Sequence, residues 1–499
     1  MCRWWSEVMR SFPLMLVGCA SLALGGCAAG PDFATPAPPP PEQGYGNTGA
    51  ASAVLAEGPG ARWWTAFGSP ELDALVDKAL AGNHGLAASK ATLEAAGERI
   101  AAVAGRRLPQ VDTNARVDYQ RVNLQAIGIG QLAGGAIRKN PEFDLYSLGG
   151  GVSYDLDLWG RNRRALEQVA AQAAATRRET EAAHLLIAGR VVAQVLAIAA
   201  LNDRIATERA LIGEDERTTT LVQKRQRAGA GTMVEVLSAQ GQLASDRAGL
   251  PGLEQDRTEA RGVLAVVLGI SPAELGATDW SLTQFALPGR VPVALPSALV
   301  RRRPDILEAE ARLHAATAAI GVATADLYPN VTLGATIGQS TSFPGDFFSG
   351  RFTSFDLFAG LTAPIFHGGT LKANVRAAEA EARAAHATYR QTVVEAFGQV
   401  SGLLSALETD AATLAAREET ARIAERSLHL SRRSFEVGNS GILQVLDASR
   451  ANQRARIDLL EARADRFQNV ARLYAATAGG WITEPEGTST AAPNPRPAP

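Results

Sequence analysis

The 499-residue sequence predicts a mixed α and β fold made from one unit used twice, each copy carrying two strands and very long helices. Three observations predict it: an internal duplication, period-two segments in matching places of both copies, and two proline-free stretches with a heptad-like apolar seam. AGAGTMVEVLSA from Ala228 aligns with VGNSGILQVLDA from Val437, a shift of 437 − 228 = 209. LPQVDTNARV from Leu108 aligns with YPNVTLGATI from Tyr328, a shift of 328 − 108 = 220. The first copy therefore carries 220 − 209 = 11 extra residues. Hydrophobic residues are 46% of the chain, charged residues 20%, and the formal charge is −2. That composition excludes general disorder and a basic nucleic-acid-binding stripe.

Taken in chain order, residues 1–26 read as a secretory signal: Arg3 and Arg10 precede an apolar stretch from Phe12 to Leu24, too short to span a membrane comfortably. It ends LALGGC at Cys27, where Gly25 and Gly26 admit a protease and leave the thiol available for acylation. LVGC at Cys19 is a second candidate, weaker because its apolar core is very short. All three cysteines (Cys2, Cys19, Cys27) fall here, so the mature chain holds no intramolecular disulfide and no cysteine metal site. Residues 27–62 include the Pro-rich GPDFATPAPPPPEQ and read as an extended tether. Residues 63–270 form repeat 1, 271–294 a linker, 295–481 repeat 2, and 482–499 a Pro-rich, apolar-poor tail read as disordered.

In repeat 1, Val111, Thr113, Ala115, Val117 and Tyr119 alternate with Asp112, Asn114, Arg116, Asp118 and Gln120. A second segment sets Tyr146, Leu148, Val152, Tyr154, Leu156 and Leu158 against Ser147, Ser153, Asp155 and Asp157. Repeat 2 keeps the pattern at Val331, Leu333, Ala335 and Ile337, then at Phe355, Leu357, Ala359, Leu361, Ala363 and Ile365, so four strands are expected. A soluble sheet with one wet face alternates in the same way. Seven of the fifteen phenylalanines, however, lie between Phe343 and Phe366, where a membrane barrel places its aromatic girdle. Four strands cannot close a barrel, and open edges in lipid are intolerable, so the barrel reading requires oligomerisation.

Helices are expected from about Arg161 to Arg227 and Thr370 to Phe435, each approaching ~100 Å at 1.5 Å per residue. Val393, Phe397, Val400, Leu404, Leu407, Ala411 and Leu414 alternate steps of four and three, a coiled-coil seam. Shifted by 209, the seam in repeat 1 is His184, Ala188, Val191, Val195, Ile198, Asn202 and Ile205, its two polar members expected to hydrogen-bond within the packing, with a register-setting or lumen-facing role as the alternatives. Each long helix then breaks at a Gly-containing turn: Gly229, Gly231 and Thr232 in one copy, Gly438, Ser440 and Gly441 in the other.

Four ordered strings make a family resemblance specific: RWWTAFGSPELDALVDKALAGNHGL from Arg62, SYDLDLWGRNRR from Ser153, LPSALVRRRPDILEAEARL from Leu295 and LTAPIFHGGTLKANV from Leu361. On these the chain resembles TolC-like outer-membrane factors from about Gly30 to about Trp481, and its lipobox narrows the likeness to NodT-type efflux lipoproteins. The resemblance implies a homotrimer whose shared outer-membrane β-barrel continues into a periplasmic coiled-coil tunnel of helices. It further implies an inner-membrane proton-driven efflux transporter and a periplasmic adaptor as partners, with no cofactor. Ala28, not an acid, follows Cys27 and is compatible with transfer to the outer membrane. The two Gly turns are placed by the resemblance at the periplasmic tip, where an adaptor docks, although turn formation alone explains the glycines equally well.

The same resemblance puts Asp447 of VLDA on the pore axis, with Gln444 one turn earlier and Glu235 at the matching site of repeat 1 as contributors to a gate. Without it, Asp447 reads as a solvated helix residue. The polar strand residues Asp112, Asn114, Arg116, Asp118, Asp155 and Asp157 are expected to line the lumen or simply to be solvated. A duct needs no covalent chemistry. The carboxylates Asp155 and Asp157 invite a glycosidase reading, but no nucleophile motif accompanies them, and six scattered histidines argue against a metal site. A purely structural periplasmic spacer is a third class. Within transport, a polypeptide-secretion duct is the alternative to efflux.

Overall fold

The structure, a computed structural model, describes residues 28–37, 45, 53–56, 59–122, 141–288, 291–294, 296–346 and 353–478. Cys27 and Cys19 lie outside the described residues. In chain order the elements are β1 (Ala53–Ala56), α1 (Pro70–Gly82), α2 (His84–Gly105), β2 (Gln110–Arg121), β3 (Glu142–Asp155), α3 (Arg161–Arg227), α4 (Met233–Leu268), β4 (Val291–Ala294), α5 (Pro296–Arg302), α6 (Pro304–Ala325), β5 (Asn330–Thr341), β6 (Thr353–Thr362), α7 (Thr370–Glu436) and α8 (Ile442–Thr477). The duplication is visible in the lengths: α2 and α6 have 22 residues each, β2 and β5 have 12, α3 and α7 have 67, and α4 and α8 have 36. Both 67-residue helices match the proline-free stretches of the sequence.

The chain divides into two compact units, each drawing segments from both repeats. The first (1–35, 94–174, 311–387) contains an antiparallel sheet in the order β2-β3-β5-β6. Its register segregates chemistry. Val111, Val152, Ala335 and Leu357 form one row across all four strands, and Tyr154, Leu333 and Ala359 another, all on one face. The opposite face carries Asp112, Asn114 and Arg116, and, on the partner strands, Ser147, Ser340, Thr336, Ser354 and Asp356. Ser147 and Ser340 link by their hydroxyls at 3.0 Å. Glycines at 149, 151, 334 and 338 thin that polar face, and the Phe358 ring lies over Gly334.

In the second unit (36–93, 175–310, 388–499) the helices pack on the predicted seams. Ala188, Val191, Val195, Ile198 and Ile205 are buried, as are Val393, Phe397, Val400, Leu404, Leu407 and Leu414. One stretch of α3 is long and apolar enough to cross a membrane by composition, but Val191, Val192 and Ile198 within that helix are core residues here. The polar seam members are satisfied: Asn202 donates to the carbonyls of Thr278 and Trp280 at 2.7 and 2.9 Å, and His184 Nδ1 lies 2.8 Å from the Thr180 carbonyl. The RWWTAF string wedges Trp63, Trp64 and Phe67 into this core, where Trp63 stacks on Tyr474 at 5.9 Å. Arg303 of the RRRPD string clamps Asp305, the Ala476 carbonyl and Gln399.

Four strands were expected and six are found among the described residues. The additional pair is β1 with β4, parallel, joining the presumed tether to the presumed linker.

Candidate channel lining, tip and gate

The strand-to-helix turns explain two of the family strings. After β3 the backbone reverses at Asp157, whose φ of 47° makes it the non-glycine residue with positive φ among the described residues. Its two carboxylate oxygens accept the amides of Asn162 and Arg163, both at 2.9 Å, and so cap the opening turn of α3. Asp155 accepts the Asp157 amide at 2.9 Å and the Asn330 side chain at 3.1 Å. These two acids, expected on the wet strand face, are thus occupied in building the turn. Asp112, Asn114 and Arg116 stand exposed on the polar face of β2 and Asp118 half-buried beside them, with Arg116 and Asp118 paired at 2.7 Å. The sequence reading missed Thr336, Ser340, Ser354 and Asp356 on the same face; the alternation about Phe355 and Leu357 was the signal for the last two.

Beside this turn the chain's first described residues are docked. Ala29 donates to the Trp159 carbonyl at 2.9 Å, and Ala28 packs on Gly160. The buried Arg164 guanidinium donates to the carbonyl of Ala29 at 3.1 Å, to Asp32 at 2.6 Å and to Glu167 at 2.7 Å. His314 lies 2.9 Å from Glu167 and stacks on Phe33 at 4.3 Å. Gly30, at φ 84°, crosses so close to Gly321 that a Cβ there would lie 2.5 Å from the Gly321 Cα. Sequence reading gave no hint of this arm-binding groove, because its parts come from three distant segments.

At the far ends of α3 and α7 the two tip turns are built alike. Gly229 (φ 74°) and Gly438 (φ 82°) adopt left-handed backbone. Ala230 donates to the Arg225 carbonyl and Gly229 to that of Gln226; Asn439 donates to Ser434 and Gly438 to Phe435. Both are Schellman caps, in which glycine avoids a Cβ clash. A separate apolar cluster of Val222, Val236, Ala239, Leu428, Phe435, Ile442, Val445 and Leu446 holds the tips together.

The turns then differ. Thr232 and Glu235 form a capping box, Thr232 Oγ1 accepting the Glu235 amide and Glu235 Oε2 accepting the Thr232 amide at 2.7 Å. Glu235 is therefore committed to the start of α4 rather than projecting as a gate acid. In the second turn Gly441 caps α8 without any side-chain bond. Gln444 and Asp447 form one exposed stripe, Asp447 with 77% of its side chain accessible and Arg450 3.5 Å away. Exposed apolar residues flank both turns, Met233, Val234 and Leu237 on one and Val437 and Leu443 on the other, and sequence reading had not singled them out.

Two faces of opposite polarity on a sheet with open edges, together with twin helical tips, are the marks of a duct, and the comparisons with known proteins agree. Residues 75–270 and 295–479 match the model of the outer membrane efflux protein family. The chain belongs to the outer membrane efflux protein family. It is 31% identical over 467 residues to the pyoverdine export outer membrane protein OpmQ of Pseudomonas putida, covering 92% of this chain and 96% of that protein. It is 29% identical to Nodulation protein T of Rhizobium leguminosarum, over 97% of this chain and 98% of that one. The solved outer-membrane channel OprN superposes with a TM-score of 0.83 at 27% identity, over 91% of this chain and 100% of that chain. The fold is thus the TolC-like one that the sequence strings announced, and the protein is an outer-membrane efflux channel, a transporter rather than an enzyme.

Proposed function

We propose that three copies of this chain assemble into one conduit, passively carrying substrates delivered by a proton-driven inner-membrane transporter and a periplasmic adaptor out of the cell. The observation that carries the reading is the four-stranded sheet with one apolar and one polar face and with both edges, β2 and β6, unpaired among the described residues of the single chain. Strand alternation makes β6 of one copy antiparallel to β2 of the next, so three sheets of four strands close twelve strands with no edge left in lipid. Asp112, Asn114, Arg116 and Asp118, joined by Asp356, then face water inside, and the row from Val111 to Leu357 and the row from Tyr154 to Ala359 face lipid.

In this reading the exposed apolar residues around Gly231 and Gly441 receive the adaptor's helices, and Asp447 from three copies makes a ring at the narrow end. Converging carboxylates attract cations and resist joint ionisation. Acylation of Cys27 would attach lipid to the residue next to Ala28, which packs against Gly160.

Detergent-extracted protein is expected to migrate as a heat-modifiable trimer and to form channels in planar bilayers. In those channels Asp447→Ala lowers cation selectivity and weakens block by multivalent cations added from the periplasmic side. Unchanged selectivity and block in an assembled trimer would remove Asp447 from the gate; a water-soluble monomer obtained without detergent would overturn the whole reading.

A further inference from the structure

Along α3, α4 and α8 the tip cluster is separated from the main helical core by a stretch where polar side chains are buried. Asp215 and Thr219 of α3 and Ser449, Asn452 and Gln453 of α8 all lie inside. Gln453 is the hub. Its Nε2 donates to Asp246 Oδ2 at 2.9 Å and to Asp215 Oδ2 at 3.3 Å, and its Oε1 accepts from Gln242 at 3.2 Å. Gln242 also donates to Asp246 Oδ1 at 2.9 Å, while its own Oε1 accepts Arg450 Nε at 2.6 Å. Arg450 in turn lies 3.5 Å from Asp447. A continuous polar chain thus runs from a buried carboxyl to the exposed acid near the second tip. The layer is costly: the Thr219 hydroxyl and the Asn452 carbonyl oxygen are buried without a hydrogen-bond partner. Polar layers in helical seams are retained where they set register or switch state rather than for stability.

Asp215, buried, and Asp246, half-buried, share the one Gln453 amide. Burial, then the hydrogen bond and charge of Asp246, and then the charge of Glu214 push Asp215 up to about 7, against the lowering effect of the Gln453 bond. The cations packed around them are engaged elsewhere. Arg432 of α7 and Arg456 of α8 face Glu214 at 2.8 and 3.9 Å, and Arg247 of α4 pairs with Glu216 at 2.6 Å. Glu208 adds a further acid, itself raised by burial and by Asp246 despite Arg204.

We propose that Asp215, Asp246 and Gln453 form a proton-operated latch that ties α8, and through Gln242 and Arg450 the position of Asp447, to α3 and α4. With Asp215 protonated the latch is closed; once Asp215 ionises, repulsion frees the tip end of α8. This rests on the reading of the tips as the channel's closing end. The sign follows from linkage. In the released state Asp215 regains an ordinary carboxylate value near 3.9, so between that value and about 7 the latched state binds more protons. Latching is complete below about pH 4, weakens as pH rises through that window, and is flat above about pH 7.

Hydrogen exchange of 442–453 in the intact trimer, corrected for intrinsic pH dependence, is the test, with bilayer conductance measured on the same sample to establish separately that a channel is present. Protection in the natural chain should fall by about thirtyfold between pH 5.5 and pH 8. Asp215→Asn keeps a donor toward Asp246 without a titrating group, and should stay protected at both values. Asp246→Asn removes the opposing charge, and should move the midpoint to lower pH. A conducting trimer whose protection is flat with pH, or an Asp215→Asn or Asp246→Asn trimer that responds as the natural chain does, overturns the latch while leaving the channel reading intact.

Discussion

Replacing Arg164 by Met tests whether the N-terminal arm is held by chemistry or merely lies on the surface. The side chain of Arg164 is 5% exposed, and its guanidinium serves the Ala29 carbonyl, Asp32 and Glu167 together. Asp32 is 92% exposed, so that pair is worth only about 0–1 kcal/mol despite its 2.6 Å length. The bond to the Ala29 carbonyl, donated by a charge from a buried side chain, is worth about 1.5–3 kcal/mol. Met keeps much of the volume, so the loss from arm docking sums to roughly 2–4 kcal/mol, or about 30- to 1000-fold in the population of undocked arm. Hydrogen exchange at amides 29–35 in the assembled protein reads this directly, with the amides of β3 as an internal control. Unchanged protection at 29–35 would show that the Phe33–His314 stack and the Gly30–Gly321 crossing hold the arm unaided. A pH arm follows from Glu167. Burial pushes it up, but hydrogen bonds from His314 and Arg164 outweigh burial and leave it below its ordinary 4.5. Its contribution is therefore present above about pH 4.5 and is lost as pH falls through the lowered value, so arm protection should be constant from pH 5 to 8 and decline only in stronger acid.

Three further outcomes are expected. Gly334→Ala places a Cβ within 2.2 Å of the Phe358 ring and should cost about 1–3 kcal/mol of sheet stability, lowering the temperature at which the trimer dissociates on a gel, whereas Gly360→Ala, with its nearest neighbour at 3.9 Å, should not. With a conventional signal in place of 1–26, Cys27→Ala should still yield outer-membrane trimer, because in the proposed assembly a closed barrel itself crosses the bilayer; complete loss of trimer would give the acyl chains the leading part. A Cβ at Gly441 would meet no atom within 4 Å, and the residue sits at a φ of −81° that any residue adopts, so Gly441→Trp should leave the trimer intact while abolishing export; normal crosslinking to the adaptor would remove this turn from the docking surface.

Long-period features were legible from sequence because they are over-determined. A missing proline, a seam repeated at a shift of 209 and a glycine at each left-handed cap all fix α3 and α7, and their ends fell within one residue of expectation. Short features were not. Ala53–Ala56 and Val291–Ala294 offer four residues each, one of them a proline, and neither is a strand until the other arrives from 291 − 53 = 238 residues away. Asp157 was misplaced because YDLDLW continues to alternate after the chain has turned. An acid just before a helix was the competing signal, and the aspartate's tolerance of positive φ let it win.

Glu235 shows the same competition, and it carries an argument about the duplication. T-x-x-E at Thr232 is a capping-box signature readable from sequence, and its carboxylate is spent on the helix start. At the shift of 209 the second hairpin has Gly441 for Thr232, Gln444 for Glu235 and Asp447 for Ser238. An N-cap contributes about 1 kcal/mol, and only the first of these two helix starts has a side-chain cap. The turns themselves remain identical Schellman caps, so divergence is confined to the residues that follow them. One hairpin uses its carboxylate in its own fold; the other lacks the side-chain cap and exposes its carboxylate one turn further on. A duplicated helix pair in which stability and exposed charge are divided in this way puts the exposed tip carboxylate on α8, the same helix that Gln453 ties to Asp215 of α3 and Asp246 of α4.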